Sequence, residues 1–347
     1  MRGTKTRDAL LWVKYLDQML GTWGDDAEVL FIQHQWPVWG NERVRQFITD
    51  YRDVLKFIHD RILHLANRGY TLAEMGEAVT LPPVLAKPWA TRDYYGTVSH
   101  NARAVYNYYL GFFSGNPAEL NPLTPTAAAP RYVELMGGVD AVVGHARAAF
   151  ESGEYRWAAQ LLQHAVYANP DCAQARCLQA DAFEQLGYQS EAGTWRNFYL
   201  VGAKELREGV PDPCMRGPSP SGLSGSVPLD AVFDYLGIAM DSDRAAGISL
   251  TVNVDVTDTG EKRSLVLNRQ VLNASGRMAE EPDVTVSGDH AAVTGLLLSD
   301  DPAQALDTVS VAGHVDVLMS LLALRTAFPF FFPVVTRPRE TSPQRYR

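Results

Sequence analysis

Side chains able to do chemistry converge on Gln33-His34-Gln35-Trp36-Pro37-Val38-Trp39-Gly40. His34 is the group there that titrates near neutrality and readily ligates metal ions. A lone histidine in such a loop is more often satisfied by backbone, so residue type alone leaves both readings open. The other histidines add no ligand pattern. His59 and His64 are five apart on one helix, not four, and read as surface or interface residues. His290 and His314 lack a carboxylate or second histidine at ligand spacing. Arg2 and Arg7 read alone as solvated arginines at a chain start, and Tyr95 as a core or hinge aromatic. His100 and Asn101 are weaker site candidates in a turn that could cap the next helix. Cys172, Cys177 and Cys214 form no C-x-x-C or zinc pattern, and an odd number gives no support to a disulfide framework. Cys172 and Cys177 are expected to face a helical core.

These groups must be held by the elements around them. Glu28 to Ile32 alternates and is β-branched, which predicts a short buried strand. Asn41 is a good N-cap for an amphipathic helix from Glu42 to about Asn67. His34 is therefore expected at the C-terminal end of a strand, where ligands collect in α/β folds. Asp8 to Leu20 carries a helical stripe. The block to Gly69 thus reads as helix, strand and helix without sheet partners, leaving bare faces that invite association. Thr71 to Ala78 reads as a short helix with a Thr71/Glu74 capping box. Pro82-Pro83 and Pro88-Trp89 mark an extended connection. His100 to Phe113 gives an aromatic helical stripe, and Asn121 to Pro130 reads as a loop.

Residues 131–209 are strongly helical, with small Ala residues that let antiparallel helices approach and Leu, Tyr and Phe that fill the gaps. Val210 to Ser226 is rich in Pro, Gly and Ser and reads as a linker. The pattern then turns to α/β. Pro228 to Met240 opens with a helix. Ile248 to Val256 alternates as a half-buried strand and is turned by Asp258-Thr259-Gly260 into Ser264 to Leu267. Val271 to Asn273 and Asp283 to Ser287 add strands, and Asp289 to Leu298 and Val315 to Ala327 add apolar helices.

Long motifs in this order resemble the zinc-dependent alkylsulfatases of the metallo-β-lactamase superfamily. The His34 loop resembles their H-H-W-P-x-W-G segment. Arg2-Gly3-Thr4-Lys5-Thr6-Arg7-Asp8, Tyr94-Tyr95-Gly96-Thr97-Val98-Ser99-His100-Asn101 and Tyr109-Leu110-Gly111-Phe112-Phe113-Ser114-Gly115-Asn116-Pro117 follow the same family. So do Tyr132-Val133-Glu134-Leu135-Met136-Gly137-Gly138 and Trp195-Arg196-Asn197-Phe198-Tyr199-Leu200. The resemblance covers essentially the whole chain.

It implies a multidomain α and α/β protein. Residues 1–69 would be the tail of a metallo-β-lactamase catalytic domain, and 70–209 an all-α, tetratricopeptide-like dimerisation domain. A linker over 210–226, a sterol-carrier-type α/β domain over 227–336 and a tail over 337–347 would follow. The implied site residues are His34 as a zinc ligand and Arg2, Arg7 and Tyr95 as sulfate-binding groups. A guanidinium fork and a phenol suit a tetrahedral oxyanion. Where the family has a second histidine this chain has Gln35. The family's binuclear zinc site also needs an H-x-H-x-D-H cluster, and no such cluster occurs among these eight histidines. One histidine cannot hold two zinc ions. The chain therefore reads as the C-terminal portion of an enzyme that hydrolyses primary alkyl sulfates of the dodecyl sulfate type, inactive alone. The alternative is a non-catalytic module for dimerisation and alkyl-chain binding. Leu296-Leu297-Leu298 and Phe328-Pro329-Phe330-Phe331-Phe332 are the candidate groove wall, with plain core packing weighed equally.

Length and composition fit these readings. A chain of 347 residues allows two or three domains, and 46% hydrophobic with 20% charged residues fits a globular protein. A net charge of −9 argues against nucleic-acid binding. The expected partners are a second copy of the chain and an alkyl sulfate or other amphiphile. No signal peptide and no transmembrane run is read. The chain as given is expected in the cytoplasm, while a longer parent could be periplasmic or secreted.

Overall fold

The computed structural model describes residues 5–34, 36–210, 226–328 and 331–336. They fall into two compact units, one taking in the chain to Val210 together with the segment from Pro333, the other running from Pro211 to Phe332.

The first unit is mainly helical. Helix α1 (Ala9–Trp23) begins where the Asp8 carboxylate accepts from Leu11 N–H at 2.9 Å, and a Tyr108 hydroxyl donates to the same carboxylate at 3.2 Å. After it comes a hairpin of two short strands, β1 (Val29–Leu30) and β2 (Val38–Trp39), then the long α2 (Asn41–Ala66). The α2 stripe is buried along its length. Val44, Phe47 and Ile48 pack with Leu30 and Ala90, while Val54, Ile58, Ile62 and Leu65 pack with Met75, Val105 and Tyr106. The other side stays bare: Trp12, Tyr15, Trp23, Phe31, Trp36 and Trp39 on α1 and the hairpin are all exposed.

Four short or medium helices follow: α3 (Leu72–Ala78), α4 (Pro83–Ala86), α5 (Val98–Leu110) and α6 (Pro125–Leu135). The Thr71/Glu74 capping box is formed. Two expectations need correction. The Pro82-Pro83 connection contains α4, because Pro is favourable at a first helical position. The loop assigned to Asn121–Pro130 also gives way, since Thr124 caps α6 by accepting from Ala127 N–H and Pro125 sits at N1.

Helices α7 (Val139–Glu151), α8 (Tyr155–Ala168), α9 (Ala173–Tyr188) and α10 (Gly193–Glu208) pack in succession. Ala146, Ala158, Ala165, Ala175, Ala180 and Ala182 are fully buried, so the backbones meet closely where a larger side chain would hold them apart. Cys172 is half-buried against the helical core, as expected, whereas Cys177 is exposed, which corrects the expectation for that residue; Cys214 lies outside the described residues. The segment from Val334 returns to this unit. The Glu205 carboxylate on α10, only 6% exposed, accepts the backbone N–H groups of Val334, Val335 and Thr336 and the Thr336 hydroxyl at 2.8–3.1 Å.

The second unit is a five-stranded sheet with helices. It opens with α11 (Leu229–Ala239) and continues through β3 (Leu250–Val256), β4 (Glu261–Asn268), β5 (Val271–Ser275), β6 (Val284–Gly288), α12 (His290–Leu298), α13 (Pro302–Ala305), β7 (Ser310–Gly313) and α14 (Val315–Ala323). Strand order is β5-β4-β3-β6-β7, with β3 parallel to β6 and the other pairs antiparallel. The β3–β4 register, Val256↔Glu261 to Leu250↔Leu267, is the hairpin expected from Asp258-Thr259-Gly260. The core takes Leu250, Val252, Val254 and Val256 from β3, with Leu265, Leu267, Val284 and Val286. Asn253 is also buried, its amide exchanging hydrogen bonds with Ala279 N–H and C=O at 2.9 and 3.0 Å. Leu296, Leu297 and Leu298 are buried in the same core, so they are packing residues and not a groove wall. Pro329 and Phe330 of the expected aromatic wall lie outside the described residues, while Phe328 is exposed.

Candidate functional site

The His34 loop is built differently from the expected strand-to-helix turn. Only Val29 and Leu30 of that run are strand, and they pair antiparallel with Trp39 and Val38, so His34 lies between the two strands of a hairpin. Gly40 N–H extends the ladder to Glu28 C=O at 2.8 Å, and its φ of 90° turns the chain into α2. A side chain would be strained there. Gly40 is thus the N-cap, and Asn41 is the first helical residue. The Asn41 amide donates instead to Gly24 C=O and Ala27 C=O at 2.7 and 3.1 Å, fastening the hairpin base to the end of α1.

His34 sits in the left-handed region at φ 65° and is exposed. Histidine is among the residues that tolerate this conformation. Its imidazole stacks on the Tyr95 ring, with centroids 4.6 Å apart and planes 16° from parallel. The turn, not a strand end, is what presents the ring.

Tyr95 comes from the other side of the site, on the loop before α5. Thr97 caps α5 by accepting from His100 N–H at 3.1 Å, and the Asp93 carboxylate accepts from Val98 N–H at 3.0 Å. Burial pushes the Asp93 carboxyl above the usual carboxylate range, and Glu191 adds to the effect against the Val98 hydrogen bond. Tyr94 C=O accepts from Gly193 N–H at 2.9 Å, the Thr194 hydroxyl donates to Tyr95 C=O, and Arg92 pairs with Glu191 at 2.6 Å. The start of α10 therefore fixes the backbone that carries Tyr95, and the exposed phenol ring is left to meet His34.

Arg7 stands at the start of α1 with its guanidinium over the Trp12 ring, 5.8 Å from the centroid. The structure thus brings together two of the four sequence-derived site residues, His34 and Tyr95, and gives Arg7 an aromatic neighbour instead. Arg2 and Gln35 lie outside the described residues. His100 faces the helices: its Nδ1 accepts from Trp195 Nε1–H at 2.7 Å. Burial, then the nearby Arg103, lowers its pKa, so it is a neutral positioning group there. His59 corrects the surface assignment. It is buried, with Nδ1 at 2.8 Å from Asp60 and Nε2 at 3.1 Å from the Tyr109 hydroxyl. Its place on the apolar stripe beside Ile58 and Ile62 was the available signal. His64 is exposed.

Among the described residues no group of three His, Cys, Asp or Glu side chains is close enough to hold a metal ion. They do not make a zinc site by themselves.

Comparison with known proteins gives the class. Residues 71–209 match the alkyl sulfatase dimerisation family and residues 219–337 the alkyl sulfatase C-terminal family. A linear primary-alkylsulfatase of Pseudomonas sp. is 41% identical over 97% of this chain and 50% of that protein. An (R)-specific secondary-alkylsulfatase of Pseudomonas sp. is 47% identical over 82% of this chain and 43% of its own length. The solved stereoselective inverting sec-alkylsulfatase Pisa1 from Pseudomonas sp. superimposes with a TM-score of 0.88 at 43% identity, covering 97% of this chain and 54% of that one. The chain belongs to the alkylsulfatase family and carries its dimerisation and C-terminal domains. It spans about half the length of the curated relatives it matches. No helix among the described residues is long and apolar enough to cross a membrane.

Proposed function

We propose that this chain is the dimerisation and C-terminal portion of an alkylsulfatase that cleaves primary alkyl sulfates of the dodecyl sulfate type. In this reading it contributes one wall of the sulfate-ester site. The observation that carries it is the His34–Tyr95 stack, which places an imidazole and a phenol, drawn from separate segments, at one exposed spot. His34 would be one ligand of a zinc site whose other ligands are not found among the described residues. Tyr95 would donate to a sulfate oxygen, and Arg7 and Arg2 would offer guanidinium forks to the others. When bound, zinc would lower the pKa of a ligated water towards neutrality. This chain's part is to bind and orient the anionic head.

A homodimer is part of the same reading. It is supported by the dimerisation-family match and by exposed Tyr132, Leu135 and Trp157 on the helical block. Large exposed aromatic and aliphatic groups favour association. Reading the DNA upstream of Met1 discriminates the enzyme portion from a stand-alone, non-catalytic dimerisation and alkyl-chain-binding module. An in-frame H-x-H-x-D-H supports the first, and its absence leaves the second. Size exclusion with light scattering is expected to give twice the chain mass, and a clean monomer would sink the dimer.

A further inference from the structure

The helical block holds a cavity of ≈ 780 Å³ between α3, α5, α8, α9 and α10. Its size lies within the roughly 300–1,000 Å³ typical of small-molecule sites. One wall is cationic, formed by Arg103 of α5 and Arg156 of α8. The other is apolar and aromatic, formed by Phe183, Leu186, Trp195 and Phe198.

Arg103 stands at this wall without a salt bridge among the described residues, although its charge reaches Glu77. Its Nε–H is shut off from solvent with no acceptor among the described residues. Buried N–H donors are nearly always paired in folded proteins. Gly76 opposite makes room for it: a Cβ there would come within 2.5 Å of Nη2 and 2.6 Å of Nε. The helix α3 backbone therefore approaches the guanidinium closely because residue 76 has no side chain. Arg156 pairs with Glu77 at 2.7 Å, but both side chains are more than three-fifths exposed, so the pair is weak and easily exchanged. Both guanidinium charges reach the Tyr199 phenol on the cavity wall. Burial raises its pKa, and Arg156 and Arg103 oppose that rise. The Trp195 ring is fixed edge-on to His100, with centroids 4.8 Å apart, by the hydrogen bond to Nδ1. A rigid aromatic face thus stands in the same cavity as two cations.

We infer that this cavity is a binding site for an amphiphilic monoanion, its oxyanion head on Arg103 and Arg156 and its apolar body against Trp195 and Phe198. The site lies within the dimerisation-family region and takes no residue from the His34–Tyr95 spot. Guanidinium suits such a head because its fork meets two oxygens at once. The aromatic wall requires an apolar body, which inorganic sulfate lacks.

The test titrates 1-octanesulfonate, which no hydrolase can turn over, into the full chain below its micelle concentration, by calorimetry and tryptophan fluorescence. Saturable binding at one site per chain is expected in this cavity. The Arg103→Gln/Arg156→Gln variant should weaken binding at that site at least tenfold. Phe198→Ser, a change at an already exposed side chain, should weaken octanesulfonate several-fold while leaving the response to sodium sulfate unchanged. Sodium sulfate alone should bind at least tenfold more weakly than octanesulfonate. Circular dichroism establishes that each variant is folded. Absence of saturable binding overturns the inference. So does wild-type affinity in both the double variant and Phe198→Ser, which would place the ligand elsewhere.

Discussion

Replacing Glu205 by Ala removes the one carboxylate that holds the segment from Val334 to Thr336. Three backbone N–H groups and one hydroxyl donate to it, and it is almost wholly buried. A hydrogen bond to a charged group contributes roughly 1.5–3 kcal/mol net, so four would nominally sum to more than about 6 kcal/mol. That sum is not the cost of the variant. The freed segment can move into water, where its donors are satisfied. Release also returns about 1–2 kcal/mol of backbone entropy for each of three residues. About 2 kcal/mol of lost docking remains, or on the order of thirtyfold in the population of the released state. Hydrogen–deuterium exchange of peptides covering 333–336 and the last turns of α10 reads this locally, which matters in a protein of two units. Glu205→Ala should speed exchange of the segment by that factor. Glu205→Gln keeps an acceptor but not the charge and should give about half the effect in free energy. Unchanged exchange in Glu205→Ala would refute the reasoning, because the segment would then be held by Val335 packing alone.

Other outcomes follow from the same structure. His100 is held neutral by burial and by Arg103, so its folded-state pKa lies below the ordinary value of about 6.5. Its contribution is present above that ordinary value and is lost as pH falls from there through the folded value. Denaturation of the helical unit should therefore show a steeper acid loss between pH 7.5 and 5 in wild type than in His100→Asn, and parallel curves would contradict it. Gly313→Ala should cost roughly 3 kcal/mol in urea denaturation of the C-terminal unit. The residue has φ 98°, and an added Cβ would meet Asp283 C=O at 2.6 Å. A cost below about 1 kcal/mol would mean that β7 shifts freely. Asn41→Ala loses the two bonds that fasten the hairpin to α1, and about 1–2 kcal/mol of stability should go with them; an unchanged urea midpoint would show the hairpin is held by other contacts.

Much of the scaffold is legible in residue patterns. The α2 stripe, the Thr71/Glu74 box and the β3–β4 hairpin each follow from local chemistry that tertiary packing then supports. The misreadings have physical causes. Asn121–Pro130 looks like a loop by composition, but Thr124-Pro125 is also a helix-starting pair, and the three alanines after it propagate the turn. The five-residue run at Glu28–Ile32 has strand propensity, yet the strand it meets is the two residues Val38–Trp39, so pairing ends at Leu30 and Phe31 stays in solvent. Strand β7 pairs only four residues at the sheet edge and contains Ala and Gly, which carry little β signal. At the candidate site, His34 and Tyr95 were marked separately by motif. Their stacking is set by the left-handed turn at His34 and by the Gly193 and Thr194 clamps on the Tyr94-Tyr95 backbone, neither of which has a local sequence signature. The cationic cavity was missed for the same reason, because its walls come from five helices.

The central proposal is that the His34–Tyr95 spot supplies one imidazole and anion-binding groups without a self-sufficient metal centre among the described residues. The most direct measurement is dodecyl sulfate turnover by the purified chain after saturation with zinc and gel filtration, with bound zinc counted in the same sample. Less than one equivalent of zinc per chain and no turnover above background are expected. Robust zinc-dependent turnover would contradict the claim.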